Sequence, residues 1–261
     1  MATKSPAGEM PFLDHLEELR MRLFWSVGAL GLCTMLAFAI VWNYPVVDVI
    51  ATPIKPYLPD GKLIFTHPAD PIAIVLKVAF GLGLAAASPV IVYQLWAFLS
   101  PALHPHEKRV VLPVIGGAFA LFLTGAYLAV RFAMPAMFDV LYSFQSASLT
   151  PMISAREYVG FAVTMCLAFG GTFQLPIVIL ALTMLGLVTP SSLAKFRKHA
   201  AVLSFIVASV ITPGDLIIMT LWLGVPLYGL YEVSIVLSWI VHRARQRRAR
   251  TDEPRIGKAQ A

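Results

Sequence analysis

Two short stretches of this 261-residue chain crowd carboxylates, basic groups and imidazoles closely enough to do chemistry. The first reads Asp14-His15-Leu16-Glu17-Glu18-Leu19-Arg20-Met21-Arg22. Asp14 followed by Glu17 has the form of a helix N-cap with an acid at the third helical position. Phe12, Leu16, Leu19 and Leu23 recur at helical spacing, so an amphipathic helix is expected. On it Glu18 and Arg22 stand at i,i+4 and Glu17 and Arg20 at i,i+3, the spacings of local ion pairs. The second stretch is Ser100-Pro101-Ala102-Leu103-His104-Pro105-His106-Glu107-Lys108-Arg109. Its Glu107 is the only carboxylate between Asp70 and Asp139. Glu107 can pair with its neighbours Lys108 and Arg109. Glu18 and Glu107 can equally serve two guanidiniums, each planar fork donating two charge-assisted hydrogen bonds to a carboxylate. Spacing does not separate these readings. His104 and His106 lack further ligands nearby, so no metal is expected.

The elements that hold these groups are membrane spans. Apolar residues make up 58% of the chain and charged residues 13%, with mean hydropathy +0.77. A soluble domain is about half apolar and about a quarter charged, so a water-soluble enzyme and a disordered chain are both excluded. Runs long enough to cross cover 23–42, 78–103 (starting near Pro71), 110–130 (extending towards Met137 past Arg131) and 158–186. The remainder gives 200–212, a Pro213-Gly214-Asp215 turn, and 216–240 interrupted by Pro226 and Glu232. The expected fold is all-α with six transmembrane helices. Prolines 89, 113, 135, 176 and 226 predict kinks, and so a curved wall rather than a tight bundle. Span five is too short for a normal bilayer core, so thinned lipid is expected beside spans five and six. A re-entrant hairpin is the alternative.

Orientation follows from lysine and arginine. With the N-terminus inside, inner segments carry fifteen of these residues and outer segments five. Seven of the fifteen follow His242, a cluster that suits anionic lipid better than nucleic acid. Both termini are then cytoplasmic. The domain reading is an amphipathic segment 1–22, a transmembrane domain 23–241 and a basic, disordered tail 242–261. Acidic residues before the first span argue against a cleaved signal peptide. Cys33 and Cys166 lie in apolar runs and indicate no disulfide.

Gln174 is expected near the middle of span four and Glu232 inside span six. An ionisable residue at that depth points to function, whereas a neutral amide serves equally as a helix–helix bond. There is no nucleotide loop, no zinc motif and no nucleophile with a base. A small-molecule transporter built on Gln174 and Glu232, and an intramembrane hydrolase using Ser88, Ser204 or Ser209, are the competing classes. The missing internal repeat disfavours the first and the missing base the second.

Phe12 to Leu23 resembles the "HLxELRxRL" opening of the TatC family, the large subunit of the twin-arginine protein translocase. Ala51-Thr52-Pro53, the segment 88–98, Pro101 to Arg109, Phe169-Gly170 with Pro176, and Thr212-Pro213-Gly214-Asp215 continue the likeness over residues 11–241. The resemblance implies a glove-shaped receptor in the cell (inner) membrane that binds paired arginines of signal peptides on folded cargo. It implies assembly with the single-span partners TatA and TatB, homo-oligomers within that complex, export driven by the proton-motive force, and neither catalysis nor a cofactor. Carried over, Glu18, Arg20, Phe98 and Glu107 bind the signal and Arg22 supports them. Gln174 lines the concave face, Pro53 and Asp215 hold outer-loop positions, and Thr212 and Met219 fall at the partner dock. The likeness departs at Gln174, where many relatives carry glutamate, and at Met219, where some carry a polar side chain.

Overall fold

The computed structural model describes residues 12–58, 61–99, 111–143, 152–211 and 217–257. Among them the regular structure is helical, with one isolated bridge between Ile64 and Ser154. Helix α1 is Phe12–Asn43, and the short α2 is Val46–Ala51. α3 is Asp70–Leu99, α4 Val111–Leu128 and α5 Met134–Ser143. α6 is Ala155–Thr172, α7 Leu175–Met184, α8 Pro190–Lys195, α9 Arg197–Ile211 and α10 Ile217–Gly257. Five stretches are long and apolar enough to span a bilayer: 14–43, 70–98, 112–143, 155–184 and 223–243. The sixth crossing is α9, whose 15 residues reach only about 22 Å against a core of about 30 Å.

Several boundaries differ from the sequence reading. Span three runs past Arg131 to Ser143, through a wide helical turn at Ala129–Ala133. Pro135 follows that turn. Its ring cannot donate and would strike the carbonyl four residues back, and a widened turn is a usual accommodation. Span four is two helices, α6 and α7, broken at Phe173-Gln174 just before Pro176. It ends on Gly186, at φ 74°, with Leu187 N–H donating to the Leu182 carbonyl and Gly186 N–H to that of Thr183. These bonds satisfy the last carbonyls of α7 and need the left-handed residue that glycine supplies. The segment expected to be a disordered tail continues α10 as helix to Gly257. Alanine, arginine and glutamine favour helix, and no new nucleus is needed beyond an existing span.

Half of the span-four window is buried, against 11% of span one, so α6 and α7 form the centre and α1 lies at the edge. Leu23, Phe24, Trp25, Leu32 and Met35 on α1 are each about 60% exposed or more, a face suited to lipid. Small residues bring the helices together. A Cβ on Gly83 of α3 would meet the Thr34 Cα of α1 at 2.6 Å, and one on Gly125 of α4 would meet the Phe169 carbonyl oxygen of α6 at 2.7 Å. Close backbone approach of this kind is how helices associate where lipid supplies no hydrophobic drive.

The crossings define two ends. The cap end carries α2 and the loop before α3; the other, from which α1 starts, is the rim end. The Thr183 and Ser238 hydroxyls meet at 2.9 Å near the rim end of α7. Glu232 lies six residues nearer the cap on α10, about 9 Å along the axis, and pairs there with Arg197 at 2.9 Å. Helix α9 therefore starts well inside the level at which span four ends.

Candidate binding site

At the rim, the start of α1 packs beside the end of α3. The helical spacing of Glu18 and Arg22 produces the ion pair that spacing allows: Arg22 Nε donates to Glu18 Oε1 at 2.9 Å, and Nη2 donates to the same oxygen. Arg22 Nη1 reaches Gln94 Oε1 of α3 at 3.5 Å, a weak bond. The His15 and Phe98 rings stack at 4.4 Å and 18°, tying α1 to α3 one turn further out. Glu18 Oε2 is buried and, among the described residues, has no hydrogen-bond partner. His15 Nδ1 stands 3.9 Å from it, beyond hydrogen-bond reach. The rim thus holds a carboxylate with one oxygen doubly occupied and the other open.

Arg20 is not part of this cluster. Two positions along α1 from Glu18, it is exposed and lies over the Phe24 ring at 5.6 Å. Residues two apart on a helix point to different faces. Glu107, Thr212 and Asp215 lie outside the described residues, as does the side chain of Met219. Pro53 is half-buried at the cap end, next to the fully buried Ile54.

Gln174 caps the break in span four. Its Nε2 donates to the Ala118 carbonyl of α4 at 2.9 Å, and its Oε1 is buried without a hydrogen-bond partner among the described residues. Beside the break, a cavity of about 350 Å³ opens between α6–α7 and α9–α10, lined by Gly171, Thr172, Leu175, Ser204 and Tyr231 among others. Glu232 is not isolated at depth, since it pairs with Arg197 and accepts from the Tyr228 hydroxyl at 2.8 Å. Ser88 and Ser204 donate to the carbonyls of Ala85 and Ala200, which leaves them with ordinary helix roles.

The cap end holds groups that sequence reasoning passed over. Asp70, fully buried at the start of α3, accepts from Thr66 N–H at 3.0 Å, Thr66 Oγ1 at 3.2 Å and His67 N–H at 2.8 Å. Arg156 of α6 completes the set at 3.4 Å. The Tyr158 hydroxyl donates to the Ile50 carbonyl, and Ile64 exchanges backbone bonds with Ile153 and Ala155. Tyr57 donates to Asp139, and that bond, followed by burial, pushes its phenol up to about 12. The short Thr66-to-Asp70 spacing was the available signal. The partnership with Arg156, 86 residues away, had none.

This geometry defines a class: a multi-pass helical membrane protein with six crossings and a carboxylate-bearing rim. Comparison with known proteins narrows it. Residues 14–226 match the family model "Sec-independent protein translocase protein (TatC)". The TatC protein of Aquifex aeolicus is 36% identical over 239 residues, covering 91% of this chain and 98% of that protein. That of Deinococcus radiodurans is 37% identical over 232 residues, covering 87% and 85%. A crystal structure described as the twin-arginine translocase receptor TatC superposes with a TM-score of 0.74 at 36% identity, over 87% of this chain and 98% of its own. The chain belongs to the TatC family of Sec-independent protein translocase proteins. Membership places it among translocase components and not among enzymes.

Proposed function

We propose that this chain is the signal-peptide receptor of a twin-arginine translocase in the cell membrane, with the rim end facing the cytoplasm. One observation carries the reading: the buried Oε2 of Glu18, without a hydrogen-bond partner among the described residues, beside the His15–Phe98 stack. An open carboxylate oxygen at a membrane boundary suits an incoming guanidinium, while Arg22 holds the other oxygen in place. Glu107 supplies the second acid from the segment between α3 and α4, and the ring of Phe98 provides apolar contact for residues flanking the paired arginines. Arg20 acts from the neighbouring face of α1, on the more exposed side of the signal. Gln174, with one free acceptor at the break of span four, hydrogen-bonds the inserted part of the peptide. Pro53 and Asp215 keep the outer turns in shape.

Spans five and six, including Thr212 and Met219, dock TatA and TatB. This is supported by the lipid-facing side of α9, where Val202, Leu203, Ile206 and Val210 are all more than half exposed. Copies of the chain assemble in the complex, and the proton-motive force drives export. The direct test is site-specific crosslinking from positions 18, 98 and 107 to a labelled signal peptide, with binding of twin-arginine and twin-lysine peptides measured in parallel. Crosslinks from all three sites and weaker binding of the lysine peptide are expected, because lysine lacks the planar fork. Equal binding of both peptides, or no crosslinks, would remove the assignment.

A further inference from the structure

Lys77 has no role in the reading above. It lies in span two, seven residues and about 10 Å from Asp70 at the cap end of α3. Its side chain is exposed, and among the described residues it joins no ion pair. A lone ammonium at that depth is costly, so it calls for an anion or a path to the surface. The ammonium lies across α6: a Cβ on Gly160 would come within 2.7 Å of Nζ. Glu157, three residues earlier on the same face of α6, is one turn and about 4.5 Å nearer the cap end. Both line a cavity of about 570 Å³ whose other walls include Phe80, Phe161, Val163 and Met165.

We propose that this cavity binds a zwitterionic ethanolamine phospholipid from the leaflet at the cap end. The order of charge carries the choice. In such a lipid the phosphate is next to the acyl chains and the ammonium is outermost. Here the basic group is the deeper one, the acid is one turn nearer the surface, and the apolar walls lie beside them. A headgroup placed with its phosphate on Lys77 and its ammonium on Glu157 pairs every charge and leaves an acyl chain against Phe80 and Phe161. A glycerol phospholipid carries the same phosphate but presents neutral hydroxyls to Glu157, which leaves that carboxylate without a counter-charge. Gly160 matters because a Cβ there would meet the Lys77 ammonium itself, at the point where the phosphate is placed.

Native mass spectrometry of the full chain released from nanodiscs of equal ethanolamine and glycerol phospholipid tests this. The parent should retain the ethanolamine lipid in preference. Lys77→Gln should lower retention at least tenfold, Lys77→Arg should keep it, and Glu157→Gln should erase the preference between the two lipids. Because Glu157 lies near the surface, its variant keeps the test open if Lys77→Gln fails to fold. Unchanged retention and preference in the Gln variants would overturn the proposal, as would a parent that favours the glycerol lipid. Displacement of the lipid by excess inorganic phosphate would assign the site to a free anion and overturn it too. The readout is lipid retention, so it stands or falls separately from signal-peptide binding.

Discussion

Two carboxylates at opposite ends of the molecule have opposite surroundings. Asp70 at the cap end is wholly buried and receives two backbone N–H groups, a hydroxyl and a guanidinium. Glu18 at the rim end has one oxygen held by Arg22 and the other buried without a hydrogen-bond partner among the described residues. A buried acceptor left open costs about 1–3 kcal/mol, so a fold that keeps one forgoes stability that it takes in full elsewhere. The cap carboxylate is fully satisfied and the rim carboxylate is not.

The sharpest way to break this comparison is at the cap. Asp70→Ala leaves the Thr66 and His67 N–H groups and the Arg156 guanidinium without their acceptor, and should destabilise the protein by about 2–5 kcal/mol, seen as a lowered melting temperature in detergent. If Asp70→Ala melts like the parent, the cap is not a structural clamp. The next effect is packing between the two ends. Gly83→Val would drive a side chain into the Thr34 backbone, cost about 1–3 kcal/mol and shift α1 against α3. Peptide binding should fall with it, because the His15–Phe98 stack bridges those same helices.

At the rim the sign of the contrast reverses. Glu18→Gln should change stability by no more than about 1 kcal/mol, since the pair with Arg22 is partly exposed. It should nevertheless weaken twin-arginine peptide binding about tenfold or more, measured by fluorescence anisotropy, because a charge-assisted bond is worth about 1.5–3 kcal/mol. Loss of stability without loss of binding would make Glu18 another Asp70. The smallest effect belongs to Tyr57. Its folded-state phenol titrates at about 12, above the ordinary 10, so the stability it adds is complete below pH 10 and fades as pH rises towards 12. In alkaline melts, Tyr57→Phe should remove that part of the pH dependence and leave peptide binding untouched.

Much of this was legible in the sequence because membrane helices advertise themselves by apolar length. The brevity of span five came from the charges of Lys195, Arg197 and Lys198 on one side and the Pro213-Gly214 turn on the other. The Glu18–Arg22 pair came from helical spacing alone. What could not be read was contact across sequence distance. His15 and Phe98 meet only because α1 and α3 pack closely at Gly83, and Asp70 meets Arg156 only because α3 and α6 start at the same level. The break at Gln174 does not show in an apolar scan, since 158–186 is uncharged throughout; its local marks are Gly170-Gly171 and Pro176, the latter already expected to kink the span. Arg20 was grouped with Glu18 by the family pattern, whereas helix geometry sends it to another face.

Helix α10 has 41 residues and is about 60 Å long, twice what a bilayer core needs. Its last fourteen residues, beyond Arg243, continue as helix for about 20 Å, with Pro254 among them. A reporter fused at that end would be carried clear of the lipid headgroups, on the same side of the bilayer as the start of α1.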